Sequence, residues 1–302
     1  MMKIMDDRYF VHIFTPTKNV SPFDVNMAHS AQIEGVIPYT EVGLDDIHYL
    51  TQDLIYSQGS QRTGIFIGGR DYGLAIDMFY RAKAAMSPPF EVSIFADPSG
   101  AITTAAAMLA CVEVWVKNIT NESLEGKKIH ILGGTGPVGV CSGILASKCG
   151  AEVFLGSTRG KKVGQSIADE YNSRFDVNMQ GENIGSDKAI ENLLETSEVI
   201  INAAKAGLQV ISKSQLEQAP ELIVATDANA VPPAGIEGVD INDMGKELDF
   251  TPKKAVGIGA LKIGHIKNKV HHRLFEMMRE TDKPIYIDHE KAFEVARVFA
   301  AK

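Results

Sequence analysis

The sequence predicts an α/β protein of two domains, an N-terminal α/β domain followed by a doubly wound parallel sheet. Three observations carry this. Short β-prone runs alternate with helical segments along the chain, which implies parallel strands with helices on both faces. The stretch Lys127–Gly139, KKIHILGGTGPVG, takes a strand into a helix through a run of glycines. The polar stretch Asn118–Gly126, NITNESLEG, separates one βα series from the next.

In the first series, Phe10–Phe14 reads as a strand and Pro22–Ala31 as a helix. Val36–Tyr39 is a short strand, and Asp45–Tyr56 a helix opened by two aspartates, as the helix dipole favours. Thr63–Gly69 is a buried-type strand. Asp71–Met86 is a helix with Leu74, Met78, Phe79 and Ala82 at helical spacing, stopped by Pro88 and Pro89. Phe90–Phe95 is a strand and Thr103–Val116 a long apolar helix. In the second series, strands are predicted at Lys128–Leu132, Ala151–Leu155, Glu198–Ala203, Leu222–Thr226 and Ala255–Gly257. Helices are predicted at Val138–Lys148, Lys162–Phe175, Asp187–Glu195 and Lys213–Gln218. Two final helices, His265–Arg279 and His289–Phe299, are apolar on one face and are expected to pack back on the N-terminal domain. The predicted division is 1–118 for a substrate domain, 119–265 for a nucleotide domain, and 266–302 for the returning helices.

With 302 residues, 45% hydrophobic and 23% charged, the chain has ample core for two medium domains. Its net charge of −8 and lack of a long basic run argue against a nucleic-acid partner. Cys111, Cys141 and Cys149 have neither metal-ligand nor disulfide spacing and read as buried thiols in a reducing compartment. The opening MMKIMDDRYF lacks a signal peptide's apolar core, and no apolar run of about 18 residues is counted. A cytoplasmic protein with no membrane partner is expected.

Gly134, Gly136 and Gly139 satisfy G-x-G-x-x-G, with Thr135, Pro137 and Val138 between them. The first glycine is assigned the tight turn, the second the close approach of a pyrophosphate, and the third helix–strand packing. The helix start adds unpaired N–H groups and the positive dipole end. This makes a dinucleotide site with Gly134–Gly139 as its cradle. An acidic residue about 20 positions further on holds the ribose 2′-OH in NAD sites. Here Ser157, Thr158 and Arg159 stand there instead. Arg159 suits a 2′-phosphate, so NADP is the first choice, and nothing repels the plain ribose of NAD. The alternative is that these residues form a solvated loop.

Ligands of open α/β sheets lie beyond the carboxyl ends of strands. Asp97-Pro98-Ser99-Gly100, Thr103-Thr104, Gly69-Arg70-Asp71 and Asp227-Ala228-Asn229 are therefore candidates, although each is equally a set of helix caps. Gly257 and Gly259, followed by Lys262 and His265, form either an approach to a flat ring or a tight packing site. His271 and His272 are adjacent on a helix and point to different faces, which argues against a metal pair. No nucleophile motif is present. That absence suits hydride transfer from an already activated carbon, where a cofactor performs the chemistry.

Several words of the sequence resemble the bacterial NAD(P)-dependent methylene-tetrahydromethanopterin dehydrogenases. They include Ser21-Pro22-Phe23-Asp24-Val25-Asn26-Met27-Ala28, Ile37-Pro38-Tyr39-Thr40 and Arg62-Thr63-Gly64-Ile65-Phe66-Ile67-Gly68-Gly69. Others are Phe95-Ala96-Asp97-Pro98, Thr103-Thr104-Ala105-Ala106-Ala107-Met108, Asn229-Ala230-Val231-Pro232-Pro233-Ala234-Gly235 and Val256-Gly257-Ile258-Gly259-Ala260-Leu261. The resemblance covers nearly the whole chain. It implies two α/β domains with a cleft between them, a homo-oligomer, and hydride transfer from methylene-tetrahydromethanopterin to NAD(P)⁺ in formaldehyde oxidation by methylotrophs. It also implies site roles. Phe23 falls where the family packs an aromatic on the pterin, Thr104 at the threonine lining the cleft, and Lys262 at the lysine near the reacting ring. The family's following histidine corresponds to His265, one residue closer here than in NADP-specific relatives. Asp97 and Thr103 join the implied substrate contacts. Two alternatives stand beside this: a methylene-tetrahydrofolate dehydrogenase, and a non-catalytic nucleotide sensor of the same fold.

Overall fold

The computed structural model describes residues 8–57 and 62–302. Most of the N-terminal stretch discussed above as a possible signal, MMKIMDD, lies outside the described residues.

In chain order the elements are β1 (Phe10–Phe14), α1 (Pro22–Ser30), β2 (Gly35–Tyr39), α2 (Asp46–Ile55), β3 (Thr63–Ile67), α3 (Tyr72–Ala84), β4 (Ser93–Ala96) and α4 (Ala101–Thr120). There follow β5 (Lys128–Leu132), α5 (Pro137–Lys148), β6 (Glu152–Ser157), α6 (Lys161–Phe175), β7 (Met179–Asn183), α7 (Asp187–Leu194), β8 (Val199–Asn202) and α8 (Lys213–Leu216). The chain ends with β9 (Val224–Asp227), β10 (Met244–Glu247), β11 (Val256–Ile258), α9 (Ala260–Glu280), β12 (Tyr286–Ile287) and α10 (His289–Ala300).

These elements form two compact units. The first is Met1–Thr103 with Asn268–Val295, and the second Thr104–Lys267 with Ala296–Lys302. The sequence places its boundary later, at the polar Asn118–Gly126, whereas most of α4 is grouped with the second unit.

The first unit holds a parallel sheet in the order β12-β4-β3-β1-β2. Its central strand β3 is a continuous apolar run because both of its faces are covered. Phe66 and Phe95 meet edge to face at 5.1 Å, and Phe275 of α9 joins them. α3 starts where the Asp71 carboxylate accepts the Leu74 N–H at 2.8 Å, so Asp71 is a cap.

The second unit holds the order β10-β11-β9-β8-β5-β6-β7, parallel except for the β10–β11 pair. Chain connection reverses direction between β5 and β8, which makes their carboxyl ends the switch point of this sheet. In the first sheet the reversal lies between β1 and β3.

Three strands escape the sequence reading: β7 (MQGEN), β10 (MGKE) and the two-residue β12. All are sheet edges, and the first two are mostly polar, so pairing rather than an apolar pattern makes them strands. Gly245 in β10 has φ +79°, and a Cβ there would strike the ring of Trp115. One expectation is corrected. The helical stretch Pro98–Thr120 is long and apolar enough to cross a membrane, but 72% of its apolar window is buried within the fold, as in a core helix. Of the thiols, Cys111 and Cys141 are buried, whereas Cys149 is only half-buried, its Sγ 3.4 Å from the Arg297 guanidinium.

Candidate functional sites

The glycine turn of the second unit begins on a pinned strand. His130 of β5 stacks on Phe154 of β6 at 4.6 Å, and its Nδ1 lies 2.7 Å from Ser197 Oγ. Ser197 donates its own proton to Leu193 O, so the imidazole donates to Ser197 from Nδ1. Burial lowers the His130 pKa from 6.5 to about 4, with Lys128 adding to the effect.

The glycines beyond β5 divide their work differently from the sequence reading. The positive φ, +69°, belongs to Gly133, one residue before the fingerprint. There a Cβ would also lie 2.7 Å from Ala203 O, at the end of β8. Gly134, assigned the turn from sequence, instead allows β6 close by, since a Cβ would sit 2.8 Å from Gly156 N. Gly139 keeps α5 close to the turn, because a Cβ would come within 2.5 Å of Gly133 O. Gly136 differs from the others: a Cβ there meets only Gly133 O, at 3.4 Å, and otherwise points into open space. Gly136 caps α5 without a side-chain hydrogen bond, and Pro137 takes the first turn. By helix geometry the N–H groups of Val138 and Gly139 have no intrahelical partner. An open cradle beside unpaired donors fits a pyrophosphate.

Beyond β6, Ser157 is buried and its Oγ accepts the Arg159 N–H at 3.2 Å, which shapes the loop. Gly160, φ +96°, leads into α6. Thr158 and Arg159 are exposed, and no ion pair holds Arg159 among the described residues. The guanidinium is therefore available for a ligand phosphate.

Other candidates resolve toward architecture. Asp227 accepts from Asn202 Nδ2, Asn229 N and Ile236 N at 2.8, 2.9 and 3.0 Å, and Asn229 in turn accepts from Gly207 N and Val231 N. This buried set ties three loops together. A Cβ on Gly259 would strike the backbone of Asp240 and Ile241, and one on Gly257 would lie 3.3 Å from Asp243 Oδ2. The missing side chain thus admits neighbouring backbone at Gly259 and neighbouring side chains at Gly257, the packing alternative. Lys262 and His265 are exposed one turn apart near the start of α9.

In the first unit the switch point carries Thr15 after β1 and Gly68-Gly69 after β3. Phe23, in the first turn of α1, is 38% exposed and so is not core. Asp97, after β4, is fully buried. It accepts from Ile102 N (2.9 Å), Thr103 N (3.1 Å) and Thr103 Oγ1 (2.6 Å), which caps α4. Thr103 is buried with it, and the next residue, Thr104, is half-buried. Between Asp97 and α4, Ser99 has φ +53° and donates to Gly69 O at 2.9 Å.

One residue set aside by the sequence reading joins this group. His271 is fully buried on α9, with Nδ1 3.1 Å from Asp97 Oδ2 and its ring 5.5 Å from that of Phe23. His272 points outward to Ser30 O at 3.0 Å, so the two histidines do face different ways. No local pattern links residues 97 and 271. The only sequence signal was a histidine on the apolar face of a helix, the i−4 neighbour of Phe275.

A family model described as methylene-tetrahydromethanopterin dehydrogenase, N-terminal, matches residues 22–99. The chain is 41% identical over 292 residues to the NAD(P)-dependent methylenetetrahydromethanopterin dehydrogenase of Methylorubrum extorquens, covering 96% of this chain and 98% of that one. It is 33% identical to the bifunctional protein MdtA of the same organism, over 93% and 95% of the two chains. Among solved structures, shikimate 5-dehydrogenase from Listeria monocytogenes aligns over 98% of both chains with a TM-score of 0.52 and 13% identity, a likeness of fold alone. Near-full-length identity at this level, together with the glycine cradle, means that the chain belongs to the methylenetetrahydromethanopterin dehydrogenase family.

Proposed function

We propose that this chain is an NAD(P)-dependent oxidoreductase that removes a hydride from methylene-tetrahydromethanopterin and leaves the methenyl cation. The observation that carries the reading is the 41% identity across 98% of a relative whose name states that activity. The open face at Gly136 and the start of α5 support it. When bound, the nicotinamide supplies the hydride acceptor.

The residues divide as follows. Gly136, Val138 and Gly139 present backbone to the pyrophosphate, with Thr135 and Pro137 shaping the turn. Ser157 sets the loop from which Thr158 and Arg159 reach a ribose or its 2′-phosphate, so both NADP and NAD are accepted. Phe23 offers an exposed ring to the flat pterin, and Thr104, next in sequence to the Asp97–Thr103 cap, is the second contact we assign to it. Asp97 and Thr103 act from behind, because both are buried. Lys262 is exposed, and anchoring of the pterin is the role we give it, with His265 on the next turn. A charged lysine stacked under the reacting carbon would oppose a cationic product. No acid–base group is needed, because the neighbouring nitrogens stabilise the cation and the protein supplies orientation.

We place this step in formaldehyde oxidation in one-carbon metabolism of methylotrophs, in the cytoplasm. The free thiols suit that compartment. Exposed Tyr49, Tyr56 and Phe90 are surface that a homo-oligomer would cover.

The test is optical. Purified protein with formaldehyde, NAD⁺ or NADP⁺ and tetrahydromethanopterin should produce reduced nicotinamide and the methenyl absorbance together. Turnover with tetrahydrofolate alone would move the assignment to the folate analogue, and turnover with neither pterin would leave a nucleotide sensor.

A further inference from the structure

A buried aromatic core in the first unit contains one polar ring. His271 is surrounded by Phe66, Phe95 and Phe275, with centroids 6.0, 5.2 and 5.2 Å away. A fourth phenylalanine would fill such a place without burying nitrogen atoms, which costs free energy unless they are partnered. Asp97 supplies a carboxylate contact, its Oδ2 lying 3.1 Å from Nδ1 without hydrogen-bond geometry. Asp97 is itself immobilised by three donors from the first turn of α4. Aromatic walls restrict where the imidazole lies, and the carboxylate faces its Nδ1 edge. Against this fixed ring stands Phe23, at an interplanar angle of 77°. Phe23 is 38% exposed in the first turn of a nine-residue helix, so its ring can be reached from solvent while it contacts the buried imidazole.

We infer that His271, set in the aromatic core and facing Asp97, is a positioning residue that sets the ring of Phe23 for stacking on the pterin; this rests on the function proposed above. His271 does not touch substrate, since it is fully buried. It acts through Phe23.

A double-mutant cycle on kinetics tests this. His271→Phe keeps an aromatic ring in the core and removes the nitrogen facing Asp97, while His271→Leu removes the ring as well. Each should raise the KM for the pterin about tenfold while leaving the KM for NAD(P)⁺ within about twofold. In a Phe23→Ala background the same substitutions should change the pterin KM by less than about twofold, because the residue they act through is gone. Full additivity, or a lowered Tm with unchanged pterin KM, would overturn the inference. If His271→Leu does not fold, His271→Phe carries the cycle. A second readout is independent of turnover: the ring-proton NMR shifts of Phe23 in ligand-free protein should move in His271→Phe and in Asp97→Asn. Unmoved shifts would overturn the positioning role. Absence of turnover in the unsubstituted protein would instead overturn the functional reading and leave this spectral test standing.

Discussion

The two βα turns that follow β4 and β5 do comparable work by opposite means. After β5 the chain removes side chains: three glycines let strand, helix and neighbouring loops close together, and Gly136 leaves room for a ligand. After β4 the chain buries side chains: one carboxylate accepts from two N–H groups and a hydroxyl and stands 3.1 Å from a buried imidazole. A cradle made of backbone is local in sequence and survives changes elsewhere. A cradle made of side chains needs a residue 174 positions away, so it couples distant segments. Four perturbations sharpen or break this contrast.

The largest effect falls on the side-chain turn. Asp97→Ala leaves Ile102 N, Thr103 N and the Thr103 hydroxyl without their acceptor and His271 without its carboxylate. It should cost about 3–5 kcal/mol in denaturant unfolding. A loss below about 1 kcal/mol would show that the network does not hold the turn.

Next is acid, which asks whether the second unit also leans on a buried ionisable group. His130 is neutral in the fold, with its pKa lowered to about 4. The unfolded chain therefore binds the proton first. Stability from this residue is fully present above pH 6.5 and is lost as pH falls from there toward 4, by roughly 3 kcal/mol in all. His130→Gln should flatten stability against pH across that window. An unchanged slope would remove His130 from the account.

Within the backbone turn, Gly139→Ala and Gly136→Ala should separate packing from binding. The first forces a Cβ to 2.5 Å from Gly133 O and should destabilise by about 1–3 kcal/mol. The second has room, so stability should hold while NAD(P)⁺ affinity falls. Equal loss of stability in both would mean that the open face of Gly136 is not a cradle.

The smallest effect is at the surface. Arg159→Ala should raise the KM for NADP⁺ about tenfold and leave that for NAD⁺ within about twofold, at unchanged Tm. Equal changes for both nucleotides would make 157–162 a solvated loop.

This contrast also explains what the sequence made legible. β5 and the helix starting at Pro137–Val138 were readable because apolar runs and glycines are local signals. β7 and β10 were not, because edge strands made of Gln, Gly, Glu, Asn and Lys carry no apolar period. The end of α4 was placed four residues early, at Val116, because its last turn is mostly polar and largely exposed. Of the candidate site, the glycine cradle and Phe23 were visible. The identity of the positive-φ glycine was not, because Gly133, Gly134 and Gly139 are all required by close approaches, and only the folded chain shows which of them also makes the turn. His271 was discounted for a sound reason, that neighbouring histidines face apart. The same reason hid that one of them faces inward to Asp97.

Trp115 is the sole indole of the chain and belongs to the second unit, wedged against Gly245 of the antiparallel edge strand. Its fluorescence is therefore a label-free optical gauge for that unit alone. A red shift would register the β10 ribbon peeling away, whereas melting of the tryptophan-free first unit would be read from tyrosine near-ultraviolet dichroism. Two dyes supplied by the sequence itself thus allow the unfolding of each half to be timed in one cuvette.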